Sequence, residues 1–149
     1  MQLSEKEITA IQESLKWLMP EVERVSKDFY EDLFRRMPEL ADMFGENMHA
    51  QGMRFMAAVE TIVNHLGNPK ELDAHVAWLA DAHAPFNLDA QTYHHMQEAL
   101  IDTFRYALGE RFTRDMQLAW RSAFGQVANA MMKRSGVDPD LIQLSTPIG

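Results

Sequence analysis

Apolar residues in this chain recur at spacings of three and four along nearly its whole length, and that period limits the possible folds more than any other feature. It is the period of a helix burying one face; the alternation of every second residue that a half-buried strand needs is absent. Ser4 with Glu7 reads as a capping box, and Ile8, Ile11, Leu15 and Leu18 follow, so a first helix runs to about Leu18. Pro20 suits the first turn of a second helix, with Val22, Val25, Phe29 and Leu33 on one flank and Tyr30, Phe34 and Met37 on the next. Pro38 ends it, and a short piece to Phe44 sets Leu40 and Phe44 four apart. A third helix starts near Met48, carries Gln51, Phe55, Ala58, Val59, Ile62 and Leu66 inward, and stops at Gly67-Asn68-Pro69. A fourth runs from about Lys70 to His83, because Pro85 disfavours helical backbone at Ala84. Asp89 caps a fifth helix bearing Tyr93, Met96, Leu100, Phe104 and Leu108, closed by Gly109. Thr113 opens a sixth, bearing Met116, Trp120, Phe124, Val127 and Met131. The expected fold is all-α, six or seven helices of unequal length packed at angles rather than as matched rods. Residues 1–135 form one domain, and 136–149, with two prolines and no sustained period, read as a C-terminal tail.

Composition narrows the function classes. The net charge of −8, with no basic patch, argues against nucleic-acid binding. No apolar run is long enough to span a membrane, and the first residues lack a basic block followed by an apolar one, so a cytoplasmic location is expected. Cysteine is absent, which removes disulfides, thiolate metal sites and cysteine nucleophiles. Neither a glycine-rich phosphate loop nor a His-Glu-x-x-His motif occurs, so a self-contained hydrolase or kinase is not expected.

A few polar residues interrupt the inward stripes. His83 stands in phase with Val76, Leu79 and Phe86. It is either a core histidine bonded to a carbonyl or a metal ligand through one ring nitrogen. Gln51 is either the surface end of its stripe or an amide aimed into a pocket, and Tyr30 is either a core tyrosine or a hydroxyl donor to a ligand. His49, two before Gln51, is an alternative pocket residue. His65 and His75 flank a connection and are expected to be exposed. The adjacent His94 and His95 point to different faces, a poor metal geometry. The 11 methionines read as adaptable core filler.

Taken jointly, these residues resemble a globin, in particular the bacterial single-domain haemoglobins and the globin part of flavohaemoglobins. The stretch from Phe29 to Phe44 is similar to the family's second helix, proline-started short helix and pocket phenylalanine. Phe44 falls 14 after Tyr30, Gln51 falls 32 before His83, and Tyr93 falls ten after His83, as in that group. Leu108 to Thr113, Ala119-Trp120 and Phe124-Gly125 are similar to its last connection and last helix. The resemblance implies a haem b pocket. His83 would be the iron's proximal ligand, Phe44 would pack on the porphyrin, and Tyr93 would lie on the proximal side. Tyr30 and Gln51 would form the distal polar pair, with Phe55 filling the wall behind them. It also implies reversible dioxygen binding, for storage or delivery, by a monomer or homodimer. The alternatives are nitric oxide dioxygenation with an external reductase and a haem-free regulator of globin fold. One position departs from the pattern: the family's glutamate 15 after the tryptophan is Ser135 here, so the carboxylate that makes the proximal imidazole more anionic is missing.

Overall fold

The computed structural model describes residues 1–136, so the reading of residues beyond Gly136 as a tail lies outside the described residues. Six α-helices carry the chain: α1 Glu5–Leu18, α2 Val22–Arg36, α3 Met48–Asn64, α4 Pro69–His83, α5 Ala90–Leu108 and α6 Arg114–Arg134. The Ser4–Glu7 capping box forms in both directions, and Asp89 and Thr113 accept from the third residue of their helices as their positions predict. Asn47 does the same for α3, a cap that its sequence context did not single out. Gly109 takes a positive φ of 58° and ends α5.

Two proline boundaries differ in detail from expectation. Pro20 lies in a 3₁₀ turn, Met19–Glu21, ahead of α2 rather than in its first turn. Ala84 keeps right-handed helical backbone despite preceding Pro85; the chain tightens into a 3₁₀ turn, Ala84–Phe86, and reverses at Asn87 with φ 52°. That tighter turn carries Phe86 out of phase with Val76 and Leu79, and its ring is 51% exposed rather than inward. His65 and His75, expected to be exposed, are half-buried, and His75 Nε2 is fully buried.

The helices pack as angled pairs: α2 against α3 and α5, and α6 against α1, α4 and α5. Phe29, Leu33, Phe104, Leu100 and Ile101 fill the centre with almost no exposure. Ser14, on the buried face of α1, accepts a 2.7 Å hydrogen bond from the Trp120 indole and donates to the carbonyl of Ala10, so it ties α6 to α1. Arg36 pairs with Asp102 and links the end of α2 to α5.

The contact between α2 and α3 is a close one. Gly52 is buried in α3, where glycine disfavours helix by about 1 kcal/mol relative to alanine. A Cβ there would lie 2.8 Å from Ser26 Oγ and 2.9 Å from Ser26 Cβ on α2. Only glycine allows this approach. Gly52→Ala should therefore destabilise the fold by about 1–3 kcal/mol despite its better helix propensity, and Ser26→Gly in the same chain should recover part of the loss. Urea denaturation of the three variants measures both; a neutral Gly52→Ala would contradict the close contact.

Candidate functional site

An apolar cleft opens between α3, α4, α5 and α6. It encloses a cavity of about 130 Å³. Its walls include Phe55, Val59 and Ile62 of α3, Met96 of α5 and Phe124 and Val127 of α6. Each of these six is only partly buried, whereas their stripe neighbours Met56, Val63, Leu100 and Met131 are buried. These partly buried side chains face the cleft, while Trp78, Phe86, Tyr106 and Leu118 are exposed elsewhere on the surface.

His83, at the last residue of α4, also lines the cleft. Its Nδ1 lies 2.7 Å from the carbonyl oxygen of Leu79, one turn back. A carbonyl only accepts, so Nδ1 carries the proton and donates, and the lone pair of the ring resides on Nε2. The two alternatives for this residue therefore coexist: a histidine satisfied by a carbonyl, whose other nitrogen remains able to ligate. Tyr93 lines the cleft as well and is buried, which pushes its phenol above the usual tyrosine range. Ser135 sits one residue past α6 and is exposed, while Met131, on the last turn of α6, faces the cleft.

Tyr30, Gln51 and Phe44 gather beside the cleft, joined to it through Phe55. The Phe55 ring stacks on Phe29 at 4.4 Å and meets the Tyr30 ring edge-on at 5.9 Å. Tyr30 also packs against Phe34 and Phe44, with ring centres 5.7 and 5.4 Å away. Gln51 Nε2 donates a long 3.4 Å hydrogen bond to the Tyr30 hydroxyl, and Gln51 Oε1 accepts a 2.9 Å bond from Arg54. Burial raises the pKa of Tyr30, opposed by the Gln51 bond and by the positive charge of Arg54. His49 does not join this group on the apolar side. It lines a second, more polar cleft, to which Ser26, Lys27, Tyr30, Phe34 and Met48 also contribute. The structure thus places Phe55, His83 and Tyr93 on one cleft, with Tyr30, Gln51 and Phe44 outside its lining and linked to it through the Tyr30–Phe55 contact; sequence reasoning missed Arg54. The signal was available: Arg54 lies three after Gln51, a neighbouring position on one helix face.

The arrangement offers one imidazole nitrogen on one wall and a phenol–amide pair near the other, in apolar surroundings. Among the described residues no group of three His, Asp or Glu is placed to hold a metal ion by itself. No helix there is long and apolar enough to cross a membrane.

Comparison with known proteins agrees with this picture. The globin family profile matches residues 27–131. The flavohemoprotein of Vibrio cholerae is 26% identical over 137 residues, covering 90% of this chain and 35% of the relative. That of Halalkalibacterium halodurans is 27% identical over 114 residues, covering 74% and 28%. That of Bordetella pertussis is 28% identical over 115 residues, covering 75% and 29%. The chain spans about a third of the length of the curated relatives it matches.

The raised Tyr30 pKa has a stability consequence. The folded protein holds the phenolic proton more tightly than the unfolded chain, whose tyrosines titrate near pH ~10. The stabilisation is complete below that value and is lost as pH rises through the folded pKa. Tyr30→Phe should flatten the decline in urea midpoint between neutral pH and about pH 11. An identical alkaline decline in both proteins would mean that Tyr30 is not desolvated.

Proposed function

The chain belongs to the globin family, and from that premise we propose that it holds haem b in the cleft and binds dioxygen reversibly there. The observation that carries the reading is His83: its Nδ1 is committed to the Leu79 carbonyl, and the ring belongs to a wall otherwise built from apolar side chains. The residues present fit the group. The walls of the cleft suit an apolar macrocycle, and neutral imidazole is an iron ligand. Bound there, haem would supply an iron that His83 could ligate and that could bind a small diatomic molecule.

The protein's own residues define how that ligand is treated. His83 holds the cofactor from the α4 wall through Nε2. The main-chain carbonyl that accepts from Nδ1 polarises the ring less than a carboxylate would. With Ser135 exposed, the proximal side lacks the electron-donating carboxylate of related globins, which favours binding over peroxidase-like chemistry. Tyr93 and Phe55, which line the cleft, would help hold the macrocycle, and Phe44, packed against Tyr30, would support it from that side. Tyr30, supported by Gln51, donates to a ligand that carries partial negative charge.

A second reading, nitric oxide dioxygenation with electrons from a separate reductase, is favoured by one feature, the phenol–amide pair. Donors of this kind slow the escape of dioxygen and lengthen its exposure to nitric oxide. The relatives named flavohemoprotein agree with either reading.

Two experiments test the proposal. His83→Ala should abolish or greatly weaken haem retention, read from the Soret band after gel filtration, and added imidazole should restore part of it. Full retention with an unchanged ferrous spectrum would remove His83 from the iron. Tyr30→Phe should speed dioxygen dissociation by roughly tenfold to a hundredfold, since a hydrogen bond to a charged acceptor contributes about 1.5–3 kcal/mol. Carbon monoxide dissociation should change much less. Equal effects on both gases would mean that the hydroxyl acts through space-filling alone.

A further inference from the structure

Arg54 is an exposed arginine on the solvent side of α3, outside both clefts. Its guanidinium is 2.9 Å from Gln51 Oε1. Arginine has only donors, so the end of the Gln51 amide facing it must be the oxygen. The end facing Tyr30 must then be the NH₂ group, as the 3.4 Å contact from Nε2 to the Tyr30 hydroxyl has it. A hydroxyl that accepts from an amide keeps its own hydrogen. Among the described residues that hydrogen has no acceptor, so it is available to a ligand. Were the amide turned over, Oε1 would accept the Tyr30 hydrogen and the donor would be consumed. The two amide orientations have nearly the same shape, so packing alone discriminates poorly between them; a donor on the far side does.

We propose that Arg54 is a positioning residue that fixes the Gln51 amide and thereby keeps the Tyr30 hydroxyl a free donor toward dioxygen. This rests on the reading of Tyr30 and Gln51 as the ligand-facing pair. Arg54 touches neither the cofactor cleft nor Tyr30, and it acts through Gln51. The charge of Arg54 also acts on the Tyr30 phenol in the same direction as the Gln51 bond, which places all three groups in one electrostatic unit.

The test uses the haem-loaded protein and five variants: Arg54→Met, Arg54→Lys, Gln51→Leu, the double variant Arg54→Met with Gln51→Leu, and Tyr30→Phe. Arg54→Met keeps the side-chain length and removes every donor; Arg54→Lys keeps a donor. Stopped-flow dioxygen dissociation should be roughly threefold to tenfold faster in Arg54→Met, a smaller effect than in Tyr30→Phe, and near the parent rate in Arg54→Lys. In the Gln51→Leu background, Arg54→Met should add nothing, because the amide through which it acts is gone. The infrared C–O stretch of the carbon monoxide complex supplies a readout that fold stability does not move. Arg54→Met should split it into two bands, one for each amide orientation, and Arg54→Lys should leave one. An unchanged rate and a single unchanged band in Arg54→Met, with Tyr30→Phe still strongly affected, would overturn the role of Arg54 and leave the distal reading intact. An Arg54→Met effect that persists in full without Gln51 would also overturn it. A silent Tyr30→Phe would overturn the distal reading and this role with it.

Discussion

The approach of α3 to α2 at Gly52 is the contact on which the candidate site depends. No Cβ fits there beside Ser26, so the two helices lie closer than ordinary side chains permit. Gln51, the residue before the contact, then reaches the Tyr30 hydroxyl, and Phe55, one turn beyond, packs against both Phe29 and Tyr30. Five aromatic rings, those of Phe29, Tyr30, Phe34, Phe44 and Phe55, lock together around this crossing. Such pairs contribute about 0.5–1.5 kcal/mol each beyond their buried area. A wall of this kind holds a hydroxyl in one direction without a dense polar network around it.

The opposite wall is built differently. His83 ends its helix, and behind it the chain runs into a short turn rather than more packed helix. Its ring is steadied by one main-chain carbonyl. The helix that carries it is pinned to α6 through Arg134, whose guanidinium meets both carboxylate oxygens of Asp81. At its other half, α6 is held to α1 by the buried Trp120–Ser14 bond. The Tyr30 hydroxyl and the Gln51 amide therefore stand on the α2–α3 side and His83 Nε2 on the α4 side, with apolar surface between them. A site divided in this way can hold a flat apolar cofactor by one bond and treat a small ligand by another.

The helices and most of their caps were legible in the sequence because each leaves a local mark. Ser4, Asp89 and Thr113 cap as their positions require, and Gly109 stops α5. What the period could not distinguish is burial against another helix from burial against a guest. Ile62 and Leu66 share one stripe and both line the cleft, yet Leu66 is buried while Ile62 remains partly exposed. Both need the same apolar chemistry. The Leu79 carbonyl has no signature either, since every residue has one. Phe86 was misplaced because a 3₁₀ turn advances each residue by a larger angle than an α-helix does, so the stripe slips at Ala84. Periodicity alone left His83 between two readings, and the resemblance to globins, not the period, favours the ligand reading.

The distal pair also bears on how the protein would respond to its surroundings. A phenol donates only while it keeps its proton. Burial among Phe34, Phe44 and Phe55 disfavours the phenolate, while the Gln51 amide and the Arg54 charge favour it. Burial is the larger effect, and the Tyr30 pKa moves up from a value already near ~10. The hydroxyl is therefore protonated throughout the neutral range, and ordinary pH changes do not switch the donor off. Its strength toward a ligand must then be set by direction, which is a property of the Gly52 crossing and of the way the amide beside it is turned.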